Sequence, residues 1–149
     1  MATESGEIRL LTAFFICAMG ASIANAECRL HALTLVGSTA QANGQTIRLG
    51  EADDAIRPAA WQGPLVADAC TLDLGIIEKP LAMTNASMLY VPSYSGSVRR
   101  LFLVDLQACK IRWESAKFSG KLQINPSALV LGDKRIAIDK HCMPVAAKK

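Results

Sequence analysis

The sequence predicts an all-β fold, mainly antiparallel: a small sandwich or barrel with a C-terminal meander, stapled by two disulfides. Three observations predict it. Short runs of alternating apolar and polar residues recur at roughly ten-residue spacing with a turn signal in each gap. The contiguous run Leu101-Phe102-Leu103-Val104 reads as a strand covered on both faces. Four cysteines, Cys28, Cys70, Cys109 and Cys142, follow a segment that reads as an export signal, and in an oxidising compartment such cysteines pair.

That segment opens the chain. Leu10 to Ile23 is apolar and is followed by Ala24-Asn25-Ala26, the small-x-small pattern that a signal peptidase cleaves. Residues 1–26 are expected to be a signal peptide, and 27–149 a single exported β-rich domain, periplasmic or secreted, beginning at Glu27. The apolar run is shorter than the ~20 residues a spanning helix needs. No second run is long enough, so no transmembrane segment is expected after cleavage.

From Glu27 to about Asn85 the expected elements are a strand in Leu30 to Val36, a polar turn at Gln41-Ala42-Asn43-Gly44 and a short alternating Thr46 to Leu49. A loop is expected from Gly50 to about Asp68, since it contains Pro58, Gly63 and Pro64. Room for a helical turn exists only between Asp53 and Trp61, because Pro58 forbids a longer helix. Cys70 to Leu74 alternates strictly, with Cys70, Leu72 and Leu74 on one face.

From Met88 the meander begins: Met88 to Val91, a turn at Ser93 to Ser97, then Val98 to Leu106. Cys109 to Glu114 alternates with Cys109, Ile111 and Trp113 expected inward. Ser119-Gly120, Asn125-Pro126-Ser127 and Gly132-Asp133-Lys134 then separate Lys121–Ile124, Ala128–Leu131 and Arg135–Asp139.

Leu89-Tyr90-Val91-Pro92-Ser93-Tyr94-Ser95-Gly96-Ser97, with Leu103-Val104-Asp105-Leu106-Gln107-Ala108-Cys109-Lys110-Ile111-Arg112-Trp113-Glu114, resembles one blade of a quinoprotein-type β-propeller. In that family a strand, an Asp, a tight Thr-Gly-Lys turn and a Trp-ended strand recur, and here Ala108-Cys109 stands in place of Thr-Gly. A propeller needs at least four blades of roughly 40 residues. The resemblance therefore implies strand order only, with no quinone, metal or catalytic residue.

Four cysteines allow three pairings. Shorter closed loops favour Cys28 with Cys70 and Cys109 with Cys142. The rival joins Cys70 to Cys109, both inward by alternation, and Cys28 to Cys142, tying the ends together. Cys28, His31, His141 and Cys142 form the one combination with metal-ligand chemistry, but its spacing is not that of a known finger; no metal and no cofactor is expected. Ser95, Ser97, Asp139 and His141 are the residues from which a hydrolytic site would have to be drawn, and Asp53-Asp54 with Asp68 the only carboxylate grouping of note. No catalytic residue is assigned.

The formal charge is +3, and the leader contributes Arg9 against Glu4 and Glu7, leaving the remainder slightly more positive. Basic residues are scattered, without the stripe that follows a nucleic-acid backbone, so no nucleic-acid partner is expected. Aromatic and arginine side chains on loops are typical protein-contact anchors. On that ground Arg57, Trp61, Tyr94, Arg99 and Arg100 are the expected partner-binding residues; Trp61 has core filling as its competing role. Asn85-Ala86-Ser87 fits a glycosylation acceptor, relevant only in a eukaryotic secretory route. The expected function is a small exported binding protein that contacts or neutralises a protein partner, inhibitor- or immunity-like, with a small exported hydrolase or a cell-envelope structural subunit as alternatives.

Overall fold

A computed structural model describes residues 27–146. The expected signal peptide and its cleavage point after Ala26 lie outside the described residues. The described chain is all-β: antiparallel strands in three sheets, with no helix among the described residues. In chain order the strands are β1 (Leu30–Ala32), β2 (Thr39–Ala42), β3 (Gln45–Arg48), β4 (Ala60–Gln62), β5 (Leu65–Ala67), β6 (Cys70–Leu72) and β7 (Ile76–Glu78). They continue with β8 (Ala82–Thr84), β9 (Met88–Ser95), β10 (Val98–Asp105), β11 (Lys110–Glu114), β12 (Leu122–Ile124), β13 (Ala128–Leu131) and β14 (Lys134–Ala137).

The β9–β10 hairpin organises the molecule. Its strands pair over their whole length, from Val98 opposite Ser95 to Asp105 opposite Met88. The near edge of β9 is shared: β8 pairs beside Leu89 and Tyr90, β7 beside Ser93 and Tyr94. With β1, β4 and β11 these form a seven-stranded sheet. Successive β10 side chains enter different cores. Phe102 and Val104 pack with Ile47, Leu65 and Trp61 beneath the four-stranded sheet β2-β3-β5-β6, whereas Leu101 and Leu103 pack with Leu129 and Leu131 of the three-stranded sheet β12-β13-β14. The seven-stranded sheet is therefore the middle layer of a sandwich, and period-two alternation sends apolar side chains to both covered faces.

Several local expectations change. The polar turn near residue 43 is the tip of a β2–β3 hairpin; Asn43 (φ 50°) and Gly44 (φ 74°) both take the left-handed conformation that a two-residue type I′ turn requires. The Gly50–Asp68 loop contains β4 and β5, three-residue strands too short to show a period. The strand expected over Leu30 to Val36 stops at Ala32. The meander is divided: after β11 the chain leaves the middle sheet, Phe118 bridges back to Arg99, and β12–β14 fold over one face.

Cys109, Ile111 and Trp113 do not form one inward row. A bulge opposite Leu103 and Val104 sets Trp113 against Leu103 and Ile111 against Val104, leaving Arg112 as the extra residue. Ile111 is 44% exposed on this edge strand, and Trp113 is half-buried against the Leu101–Leu129 core.

The disulfides are Cys28–Cys142 and Cys70–Cys109, with Cα separations of 5.0 and 5.2 Å. The expected Cys28–Cys70 and Cys109–Cys142 pairing is corrected. Closure cost rises only logarithmically with loop length, so short loops are weakly favoured and sheet topology decides. One bridge joins the two ends of the described chain; the other ties β6 of the four-stranded sheet to the β10–β11 turn of the middle sheet. Cys109 occupies the left-handed position of that turn (φ 51°). Asp105 caps the turn through the Gln107 and Ala108 amides.

Candidate functional site

Two loops present apolar side chains to solvent side by side. In the first, Val36 and Thr39 exchange backbone hydrogen bonds across a tight turn at Gly37 and Ser38, and Val36 stands 80% exposed. In the second, the Asp54 carboxylate accepts the amides of Ile56 and Arg57 at 2.7 Å, and the Asp53 carboxylate accepts those of Ala59 and Ala60 at 2.9 and 3.1 Å. These bonds fold residues 53–60 into a fixed arch with Ile56 at its outside, 87% exposed. The same amides stabilise the ionised acids: Ala59 foremost for Asp53 and Arg57 foremost for Asp54 hold both carboxyls below their ordinary value.

Between the loops lies a concavity of about 630 Å³ lined by Leu35, Val36, Ile56, Pro58 and Ala59, with Arg57 and Lys79 at its rim. Trp61 lies beneath. Its indole is 1% exposed and packs in the Ile47–Leu65 core, while Nε1–H donates to the Gly37 carbonyl at 2.9 Å and the Lys79 ammonium sits 5.6 Å above the ring. Trp61 is thus corrected from a surface anchor to a core residue that holds the Val36 turn in place. The β4 strand, paired with β7 and bridged to Ala52, turns its side chain inward.

Tyr94, Arg99 and Arg100 come together elsewhere, near the Gly96-Ser97 turn that closes the β9–β10 hairpin. Tyr94 is half-buried between its cross-strand neighbours Ile76 and Arg99. Arg99 is an internal clamp: its Nε pairs with Glu78 at 2.8 Å and Nη1–H donates to the Gly120 carbonyl at 2.7 Å. Burial pushes the Glu78 carboxyl up, and the Arg99 charge partly offsets it. Arg100 points to the opposite face and pairs with Glu114. Arg57 belongs to the loop surface, so the five expected contact residues are divided between two surfaces and a core position.

No family model, curated protein or solved structure matches the chain. Chemical assignment rests on the residues themselves.

The residues from which a hydrolase would be drawn are dispersed. Ser95 lines a cleft on one face of the hairpin end, Ser97 a separate one with Glu78 and Arg99, and Asp139 a third beside Cys28 and Ser127. Asp139 is engaged with the amides of His141 and Met143. Asp68 pairs with Gln45, away from the amide-capping Asp53 and Asp54. Cys28 and Cys142 are joined to each other, and among the described residues no group of three or more His, Cys, Asp or Glu side chains is placed to hold a metal. Asn85 accepts the Arg29 amide and donates to the Glu27 carbonyl, pinning the N-terminal segment.

The sequence reading missed Val36, Ile56 and Lys79. Val36 read as the end of a strand and Ile56 as part of a polar loop. The available signal was Asp53-Asp54 preceding Ile56, since Asp side chains cap amides two and three residues onward.

Proposed function

We propose that this is an exported binding protein that contacts or neutralises a protein partner through the surface formed by Val36, Ile56, Arg57 and Lys79. The observation that carries the reading is Ile56, held outward by a loop whose amides are fixed by Asp53 and Asp54. An aliphatic side chain kept in water by a rigid arch gives up apolar burial that a floppier loop would recover. Exposed apolar patches with polar rims mark interaction surfaces. Because the loop and the Val36 turn are already ordered, little conformational entropy remains to be lost on association.

The rim chemistry narrows the partner. Arg57 and Lys79 make no ion pair within 4 Å among the described residues. The nearby acids Asp53 and Asp54 direct an oxygen each to backbone amides. The surface fits a protein offering an apolar projection flanked by carboxylates. Two disulfides are consistent with an oxidising compartment, which supports a periplasmic or secreted location; processing after Ala26 rests on the Ala24-Asn25-Ala26 pattern alone.

The test is isolation of the tagged protein from its own host beside Ile56→Asp and Val36→Asp. A stoichiometric protein that accompanies the wild type and is lost from both folded variants is expected. Retention of that protein by both variants would overturn the assignment, as would the absence of any stoichiometric protein with the wild type.

A further inference from the structure

The geometry points to a second binding site, for an amphipathic carboxylate, at the turn end of the β9–β10 hairpin. It is independent of the Val36–Ile56 surface and has different chemistry.

The site arises where the packing of one face of the middle sheet runs out. On that face β9 carries Val91, Ser93 and Ser95 while β10 carries Phe102, Arg100 and Val98, because Val91 pairs with Phe102, Ser93 with Arg100 and Ser95 with Val98. Val91, Phe102 and Leu74 belong to the core under the four-stranded sheet; beyond them Ser93 is still buried, and nearer the turn Ser95 and Val98 are exposed. The result is a cleft of about 430 Å³ with an apolar floor of Leu74, Val98 and Phe102, bordered by Ser93, Ser95, Tyr94, Arg100 and Lys117. That volume falls within the range of small-molecule sites, which combine apolar walls with a few placed polar groups.

Charge sets the ligand class. Among the described residues two cations line the cleft and no acidic residue does. Arg100 shares one nitrogen with Glu114, leaving other guanidinium donors, and Lys117 has no ion-pair partner within 4 Å among the described residues. The Ser93 hydroxyl is committed to the Leu74 carbonyl, so it shapes the wall, whereas among the described residues no side-chain hydrogen bond engages the Ser95 hydroxyl. A carboxylate between Arg100 and Lys117, with its hydrocarbon on Phe102 and Val98, satisfies both halves of the site. A neutral alcohol leaves the cations unanswered; an ammonium ion is repelled.

The experiment is an amide NMR titration of the processed protein with hexanoate, hexanol and hexylammonium. Hexanoate is expected to shift Gly75, Ser93, Ser95 and Val98 saturably, with hexanol at least about tenfold weaker and hexylammonium without effect. Lys117→Gln, an exposed position, should weaken hexanoate about fivefold or more, with Lys140→Gln and Ile56→Asp unchanged. N-acetyl-leucine separates a chain terminus from a free acid as the natural source: both support the site, and the tighter one identifies the source. Equal binding of hexanol and hexanoate, an unaltered affinity in Lys117→Gln, or shifts centred on Val36 and Ile56 would overturn the proposal.

Discussion

Replacing Trp61 separates its two roles, filling the core and holding the loop. Trp61→Ala removes an indole that is 1% exposed and packed in the larger core. Truncations of buried aromatic side chains cost about 3–5 kcal/mol, and the Gly37 carbonyl also loses its indole donor. The upper part of that range, about 4–5 kcal/mol, is therefore expected. Trp61→Phe keeps a ring in the core but cannot donate, so its cost should be about 2 kcal/mol, roughly half from the unmade hydrogen bond. For a domain of this size each kcal/mol corresponds to about 3–6 °C in Tm. Urea unfolding with both disulfides intact measures the free energies, and exchange of the Val36 and Thr39 amides reports the turn. The phenylalanine variant should protect these amides less while leaving exchange in β9 and β10 unchanged. An unchanged midpoint for Trp61→Ala would refute the reasoning and restore Trp61 to the surface.

Three further outcomes follow from the packing. The exported protein should have an intact mass corresponding to a start at Glu27 and lacking four hydrogens; peptide mapping should join Cys70 to Cys109, and replacing both with Ser should cost about 3–4 kcal/mol by the chain-entropy estimate. Trp113→Ala should cost about 1–3 kcal/mol, less than Trp61→Ala, because the bulge leaves Trp113 half-buried. Acid should destabilise the fold through Asp105, whose carboxyl is held below the ordinary 3.8 by the Ala108 amide first and Arg112 second. Stability from this group is present above 3.8 and lost as pH falls through the lower folded value. Asp105→Asn should flatten that loss in a pH series of thermal melts; an identical acid limb in the variant would remove Asp105 from the account.

Where elements are long enough to show a period, the fold was legible. Leu101 to Val104 announced a strand covered on both faces, and the turns after Ser119, Asn125 and Gly132 located β12 to β14. Three-residue strands such as β4 and β5 offer no period, and their Gly and Pro neighbours read as loop. The cysteine pairing was not legible because loop length discriminates weakly, and Cys109 sits in the β10–β11 turn, where strand alternation does not set its direction. The one-residue bulge beside Trp113 moved Ile111 outward, a change that alternation cannot register. Exposure of Val36 and Ile56 was hidden for a different reason. An isolated aliphatic residue in a loop does not reveal which way it faces until the amide caps of Asp53 and Asp54 are seen.

The most direct test of partner binding places a photo-crosslinking amino acid at position 56 in the native host, with Gln123 on the opposite outer sheet as the control position. One discrete protein adduct at 56, absent at 123 and lost when Val36→Asp is added, is the predicted result. No adduct at 56, or the same adducts from both positions, would contradict the assignment of this surface to a protein partner.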